Sequence, residues 1–141
     1  MILHCNFEEL RALAYGAEMV LSGQPVASGA AVAAPAEAIA LVEQLLPRLT
    51  GDISLTTLAE HHQVRGAISV ICEGFQERLD DRILEFHPGH EEAVATYFDY
   101  AYSRTVLHRV DQIGAEMDAI IELITGAPPT IETAASITFP D

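Results

Sequence analysis

The chain has 141 residues, of which 50% are apolar and 20% are charged. Its 21 acidic and 7 basic side chains give a net charge of −14 at pH 7. An apolar share of this size can bury a core, which excludes an intrinsically disordered chain. The negative charge argues against binding to nucleic acid, because phosphate groups require basic side chains that this chain hardly supplies. We therefore expect one acidic globular domain with no nucleic-acid partner.

The sequence contains no signal for secretion or membrane insertion. Residues 1–9 lack the basic start and the unbroken apolar stretch of a signal peptide. The most apolar stretch, residues 25–46, is rich in alanine and contains Glu37 and Glu43, which argues against a membrane span. The two cysteines are far apart and form no CxxC motif, which suits reduced thiols. We expect a cytoplasmic protein that does not associate with membranes.

Two short helices are predicted in the first third of the chain. Asn6 followed by Glu9 is a capping-box pattern, and apolar residues then recur at steps of three and four up to Leu21. Residues 23–34, which are rich in glycine, alanine and valine, form the predicted internal linker. Pro35 suits the first turn of the second helix.

Two longer helices are predicted in the rest of the chain. Ser54 or Thr56 is expected to cap the third helix, in which apolar residues follow helical spacing as far as Phe86. The sequence His-Pro-Gly-His then predicts a sharp turn. The fourth helix is expected to end at Gly126. With roughly 30 and 35 residues, these helices would be about 45–50 Å long.

These lengths predict an all-α fold, a helical bundle built on a long antiparallel helical hairpin with two shorter helices packed along it. Residues 1–126 form the predicted single domain. Residues 127–141 form a C-terminal tail that we expect to pack on the body. A short extended pair between residues 53–55 and residues 137–139 is also predicted.

Two apolar lines are predicted on the fourth helix. The main line has steps of four and three and is expected to face the partner helix; its members are Val106, Val110, Ile113, Met117, Ile120 and Ile124. A second line, at seven-residue steps, contains Tyr100, Leu107, Gly114 and Ile121. It widens the apolar surface beyond what one partner helix would bury. Tyr100, Leu107 and Ile121 are therefore the predicted interface of a homodimer.

The sequence around the predicted turn contains candidate metal ligands. His87 and His90 flank the turn and are followed by Glu91, and these three residues are the candidates. The Glu-x-x-His motif of di-metal bundles does not occur in the sequence. A glutamate such as Glu91 is also favoured in the first turn of a helix by the helix dipole. The sequence leaves both interpretations open.

Few other residues suggest chemistry. Arg104, His108 and Asp111, at steps of four and three, form either an acid–base group or a surface ladder of ion pairs. Cys5 stands just before a helix N-terminus, where a thiolate can be stabilised. The sequence contains neither a nucleophile elbow nor a Gly-rich phosphate loop. We expect no cofactor and no catalytic residues.

One short motif resembles a DNA-binding element. Residues 58–68 are similar to a helix-turn-helix segment, with Ala59 and Val64 at the alanine and the turn hydrophobe of that motif. Gln63 stands where the motif has its turn glycine. The resemblance implies a transcriptional regulator, and it covers only a small part of the chain.

A second motif is similar to one of an RNase family. Arg82 and His87, with four residues between them, are similar to the Arg-x4-His pair of HEPN-type ribonucleases, which are small helical bundles. Ile83 stands where that family has a polar residue, and Pro88 follows the histidine directly.

The leading functional hypothesis is a non-catalytic protein-interaction module that acts as a homodimer, with an unidentified protein as a second kind of partner. A helix-turn-helix regulator and a metal-dependent or HEPN-like hydrolase are the alternatives.

Overall fold

The computed structural model describes residues 1–22 and 35–141. In these residues the elements follow in the order β1 (Ile2–Leu3), α1 (Phe7–Leu21), α2 (Pro35–Leu45), a 3-10 turn (Leu46–Arg48), β2 (Ile53–Ser54), α3 (Leu58–Glu85), α4 (Glu91–Thr125) and α5 (Ile131–Ser136). Helices make up 76% of the structure, and the predicted all-α bundle is confirmed. The predicted linker at residues 23–34 lies outside the described residues.

The long hairpin consists of α3 and α4. With 28 and 35 residues, these helices are about 42 and 52 Å long. Thr57 caps α3 in place of the expected Ser54 or Thr56, and its hydroxyl oxygen accepts a hydrogen bond from the N–H of Glu60 at 3.1 Å. Gly126 ends α4 as predicted, with a φ of +72° that glycine adopts without strain.

The helices α1 and α2 pack along this hairpin. The predicted capping box starts α1: the N–H of Glu9 donates to Asn6 Oδ1 at 2.8 Å, and the N–H of Asn6 donates to Glu9 Oε1 at 2.9 Å. Gly16 lies directly against α3, because a Cβ atom at this position would be 2.5 Å from Ile71 Cγ2. The second short helix, α2, contacts both α1 and α3.

His61 lies in the seam between α3 and α4. This histidine is buried, and its Nε2 donates a hydrogen bond to the carbonyl oxygen of Val110 at 2.7 Å. Its ring lies against the backbone of Gly114, where a Cβ atom would be 2.6 Å from Cε1 of the ring. The absence of a side chain at Gly114 therefore allows the two long helices to approach each other.

The two short strands lie near the N-terminal end of α3. β1 pairs with β2 in antiparallel register, with Leu3 opposite Ile53, and both side chains are buried. The predicted pairing of residues 53–55 with residues 137–139 was therefore wrong. Residues at the N-terminus pair with β2 instead, and Leu3 is buried in this part of the core. The tail is attached nearby through Phe139, whose N–H donates to the carbonyl oxygen of Thr56 at 2.7 Å.

The contact of His61 with α4 predicts the effect of adding one methyl group. Gly114→Ala should lower the free energy of unfolding by about 1–3 kcal/mol, because the added Cβ overlaps the buried ring. This sign is opposite to the usual gain of up to about 1 kcal/mol when alanine replaces glycine inside a helix. Urea denaturation measures the change.

Gly66→Ala is the matched control within α3. A Cβ atom at Gly66 would be 3.0 Å from Leu41 Cδ1, the end of a flexible side chain that can move. The control should stay within about 1 kcal/mol of the original protein. Equal effects of Gly114→Ala and Gly66→Ala would show that the ring of His61 does not set the spacing of the helices.

Candidate functional site

Two side chains of α1, Arg11 and Tyr15, contact both long helices in the half of the hairpin that carries the turn. Tyr15 stacks on Phe75 with 6.2 Å between the ring centroids, and the guanidinium of Arg78 lies 5.9 Å from the centre of the Tyr15 ring. Arg11 reaches Asp99 of α4 at 3.7 Å. Burial raises the pKa of Asp99, against the opposing effect of Arg11 and Arg78. The end of the hairpin projects beyond this group.

The projecting end exposes a group of large apolar side chains. Between residues 80 and 98, only Ala93 and Thr96 are buried. We call the exposed group the tip patch; its members are Ile83, Leu84, Phe86, Val94, Tyr97 and Phe98. Leu84 is 84% exposed and Phe98 is 53% exposed. An exposed apolar surface of this kind on a globular protein marks an interaction site.

Helical spacing places the α4 members of the tip patch on one face. Phe98 follows Val94 by one helical turn, and Tyr97 lies between the two. The rings of Tyr97 and Phe98 meet edge to face with 6.0 Å between their centroids. On the other side of the turn, Phe86 stacks on His90 with 4.2 Å between centroids. The end of the hairpin therefore has two aromatic contacts, one within α4 and one that joins the end of α3 to the N-cap of α4.

Sequence periodicity assigned much of this patch to the core. Ile83 and Phe86 follow the apolar spacing of α3, and Val94 and Phe98 that of α4. All four are nonetheless exposed in the structure, by 37–53%. Apolar periodicity marks a face of a helix and does not show which of its turns other elements cover, so the sequence contained no signal for this exposure.

Exposed carboxylates surround the tip patch. They belong to Asp80, Asp81, Glu85 and Glu91. Arg82, a base in this region, is already engaged in an ion pair with Glu92. The exposed end of the hairpin therefore combines apolar side chains with negative charge.

The candidate metal ligands His87 and His90 are hydrogen-bonded to the backbone of the turn. His87 Nδ1 accepts a hydrogen bond from the N–H of Gly89 at 3.1 Å, and His90 Nδ1 accepts one from the N–H of Glu92 at 3.2 Å. The two rings meet edge to face with 5.7 Å between centroids. Within residues 1–22 and 35–141, no three His, Cys, Asp or Glu side chains are placed to hold a metal ion, so Glu91 does not complete a site.

The pair that is similar to the HEPN motif is used differently here. Arg82 binds Glu92 across the turn, and His87 accepts a hydrogen bond from the backbone. Each of these side chains therefore makes its own contact at the turn between α3 and α4, and among the described residues they share no acceptor.

The predicted dimer interface lies inside the chain. Leu107 and Ile121 are 6% and 0% exposed, and Tyr100 is partly buried against the core. The expectation that this line is exposed was wrong. Its central residue, Gly114, contacts His61, so the line faces α3 and forms part of the seam. Leu107 and Ile121 are therefore not available on the surface of the folded chain.

The segment similar to a helix-turn-helix is one unbroken part of α3. It contains no turn, so it cannot present a second helix to a DNA groove.

The polar pattern of Arg104, His108 and Asp111 in α4 contains an ion pair that links α4 to α3. Arg65 Nε donates a hydrogen bond to Asp111 Oδ1 at 2.6 Å, so this carboxylate is paired with Arg65 and not with His108. The arrangement is that of a surface salt bridge.

A polar cluster joins the N-terminus to α4. Glu9 is 2% exposed, and Arg109 donates to both of its carboxylate oxygens at 2.7 and 2.6 Å. Arg109 also donates to the carbonyl oxygen of His4. Burial alone would raise the pKa of Glu9, but the hydrogen bonds from Arg109 and Asn6 and the charge of Arg109 lower it. Sequence analysis identified Glu9 only as a cap, because its partner is 100 residues away.

The thiols do not have the character of nucleophiles. Burial, followed by the charge of Glu9, raises the pKa of Cys5 from 9.0 to about 11. Burial also raises the pKa of Cys72 to about 12. A thiolate is the reactive form of cysteine, and these shifts oppose it. Burial thus outweighs any stabilisation of a Cys5 thiolate by the N-terminus of α1.

None of the helices in the described part of the chain combines the length and the apolarity that crossing a membrane requires. Comparisons of the chain with protein-family models, with curated proteins and with solved structures found no match.

The ion pair of Glu9 predicts a pH-dependent contribution to stability. Because folding lowers the pKa of Glu9, its contribution is present above the ordinary value of 4.5 and is lost as the pH falls through the lowered value. Glu9→Gln should lower the free energy of unfolding by about 2 kcal/mol at pH 7 and by progressively less below pH 4. Glu8→Gln, at an exposed neighbouring carboxylate, is the control. A loss that is constant across this pH range would contradict the ionic contribution.

The turn histidines should contribute little to stability and nothing to metal content. His87→Ala combined with His90→Ala removes the cap of α4, at a cost of about 1 kcal/mol. Thermal unfolding and elemental analysis of protein purified without an affinity tag measure the two effects. His108→Ala, at an exposed site on α4, is the control. Stoichiometric zinc or nickel that disappears only in the double variant would contradict this interpretation.

Proposed function

We propose that the protein is a non-catalytic interaction module that forms a homodimer through the tip patch. The observation that carries the proposal is the exposure of six large apolar side chains between residues 83 and 98. When a partner buries apolar surface, the free energy of association becomes more favourable by about 25 cal/mol for each Å² removed from water. Association is therefore favoured at this surface.

A second copy of the chain suits the shape of this surface. The hairpin end consists of two antiparallel helices, and each of them contributes exposed apolar side chains. Two such pairs of helices that pack face to face form a four-helix arrangement, in which each covers the exposed face of the other. A two-fold axis through Leu84 or Phe98 would bring like residues together and would close the assembly at two copies.

The charge of the chain opposes this association. Each copy has a net charge of −14, and the carboxylates of Asp80, Asp81 and Glu85 lie beside the patch. Salt screens repulsion between exposed charges over a distance of about 10 Å at 0.1 M. The dimer should therefore become stronger as salt is added, whereas an interface based on salt bridges would become weaker.

Two observations support the non-catalytic part of the proposal. The pKa of each thiol is raised, to about 11 for Cys5 and to about 12 for Cys72, which disfavours the nucleophilic form. The imidazoles of His87 and His90 each accept a backbone hydrogen bond at the turn. Neither observation points to a nucleophile or to an acid–base group at these positions, which is consistent with an interaction module.

Sedimentation equilibrium at low and at moderate salt tests the dimer. We expect a species of twice 15.2 kDa, whose dissociation constant decreases when salt is raised. Leu84→Glu and Phe98→Glu should each increase that constant by at least about tenfold, because burying Leu or Phe contributes about 1.5–3 kcal/mol. Both residues are exposed in the single chain, so the variants should keep its melting temperature.

Leu123→Glu is the matched control, since Leu123 is 85% exposed at the opposite end of α4. It should leave the dissociation constant unchanged. A monomer at every salt concentration would remove the homodimer and would leave the patch to a different protein. Loss of the dimer in Leu123→Glu but not in Leu84→Glu would place the interface at the opposite end of the hairpin and would contradict the proposal.

A further inference from the structure

A cavity lies at the other end of the bundle from the tip patch. It is formed between the first turns of α3, the last turns of α4 and the short helix α5, and its volume is about 460 Å³. Cavities of 300–1,000 Å³ are of the size that binds small molecules. The C-terminal tail supplies one complete wall, which the sequence did not indicate.

The walls of this cavity are mainly apolar. The apolar lining consists of Leu58, Ala59, Pro129, Ile131, Ala134 and Ala135. These side chains are small or aliphatic and offer no hydrogen-bond donor. They suit the hydrocarbon part of a ligand.

Three polar side chains complete the lining, namely His62, Asp118 and Thr130. Thr130 is already used, because its hydroxyl group caps α5 in reciprocal hydrogen bonds with Thr133. His62 and Asp118 have neither a hydrogen bond nor an ion pair with any residue that the structure describes. One carboxylate and one imidazole, from different helices, are therefore available to a ligand.

We propose that this cavity binds a small organic cation, an amine with one compact apolar group. The carboxylate of Asp118 pairs with the ammonium group, and a ring nitrogen of His62 accepts a further hydrogen bond from it. The apolar group lies among Leu58, Pro129 and Ala134. The net charge of −14 attracts cations and repels anionic ligands with the same apolar group. This proposal does not depend on the dimer.

Matched probes on the full chain test the charge requirement. The probes are 2-phenylethylamine and cyclohexylmethylamine, with 2-phenylethanol and phenylacetate as the neutral and anionic analogues of the first. Titration followed by two-dimensional NMR measures the affinity. We expect at least one amine to bind with a dissociation constant of about 1 mM or tighter, and the alcohol and the acid to bind at least about tenfold more weakly.

Variants test the assigned residues. Asp118→Asn should weaken amine binding by at least about tenfold, since it removes a charge-assisted hydrogen bond. Ala134→Phe should abolish binding by filling the cavity, and its circular dichroism checks that the fold is intact. Glu122→Gln removes a carboxylate one helical turn beyond Asp118 and outside the lining, so affinity should change by less than about twofold.

Three results would overturn the proposal. The first is an absence of binding by both amines up to about 10 mM. The second is equal binding of the amine and the alcohol, which would show that the charge plays no part. The third is an equal loss of affinity in Glu122→Gln and Asp118→Asn, which would indicate general attraction of cations to an acidic surface.

Discussion

The contact between His61 and the backbone of α4 is the constraint on which the rest of the structure depends. The Nε2–H group of His61 bonds to the carbonyl oxygen of Val110, and the ring occupies the space that a side chain at Gly114 would fill. The two longest helices are thereby fixed in register and spacing. The short helices, the strands and the tail all pack against the surface that this pair creates. An unpaired nitrogen is part of the arrangement, because Nδ1 of His61 has no partner among the described residues.

The difference in length between the hairpin and the helices beside it divides the molecule into two ends. At one end, the N-terminus, the strands and the tail cover the hairpin, and the buried pair of Glu9 and Arg109 joins α1 to α4. At the other end, most of the described side chains on both sides of the turn are exposed to solvent. The covered end contains the cavity, and the uncovered end contains the tip patch. The two proposed activities therefore use separate surfaces of one hairpin.

Much of the fold followed from local sequence signals. The capping box at Asn6, the glycine that ends α4 at Gly126 and the lengths of the long helices were all predictable, because each depends on residues within one or two helical turns. The sequence did not predict which apolar line of α4 packs against α3. Two apolar lines lie side by side on α4, and the one at Leu107 and Ile121 is buried against α3 because Gly114 accommodates a ring from 53 positions earlier, at His61.

The sequence by itself determined the class of the protein and the order of its helices, since apolar periodicity and caps act locally. It also determined the acidic charge, which limits the partners of every surface. The tertiary structure alone decided which apolar residues are exposed. Phe98 and Leu107 both belong to apolar lines of one helix, yet one is 53% exposed and the other 6% exposed. Burial depends on which other elements reach a residue, and that depends on contacts between residues far apart in the chain.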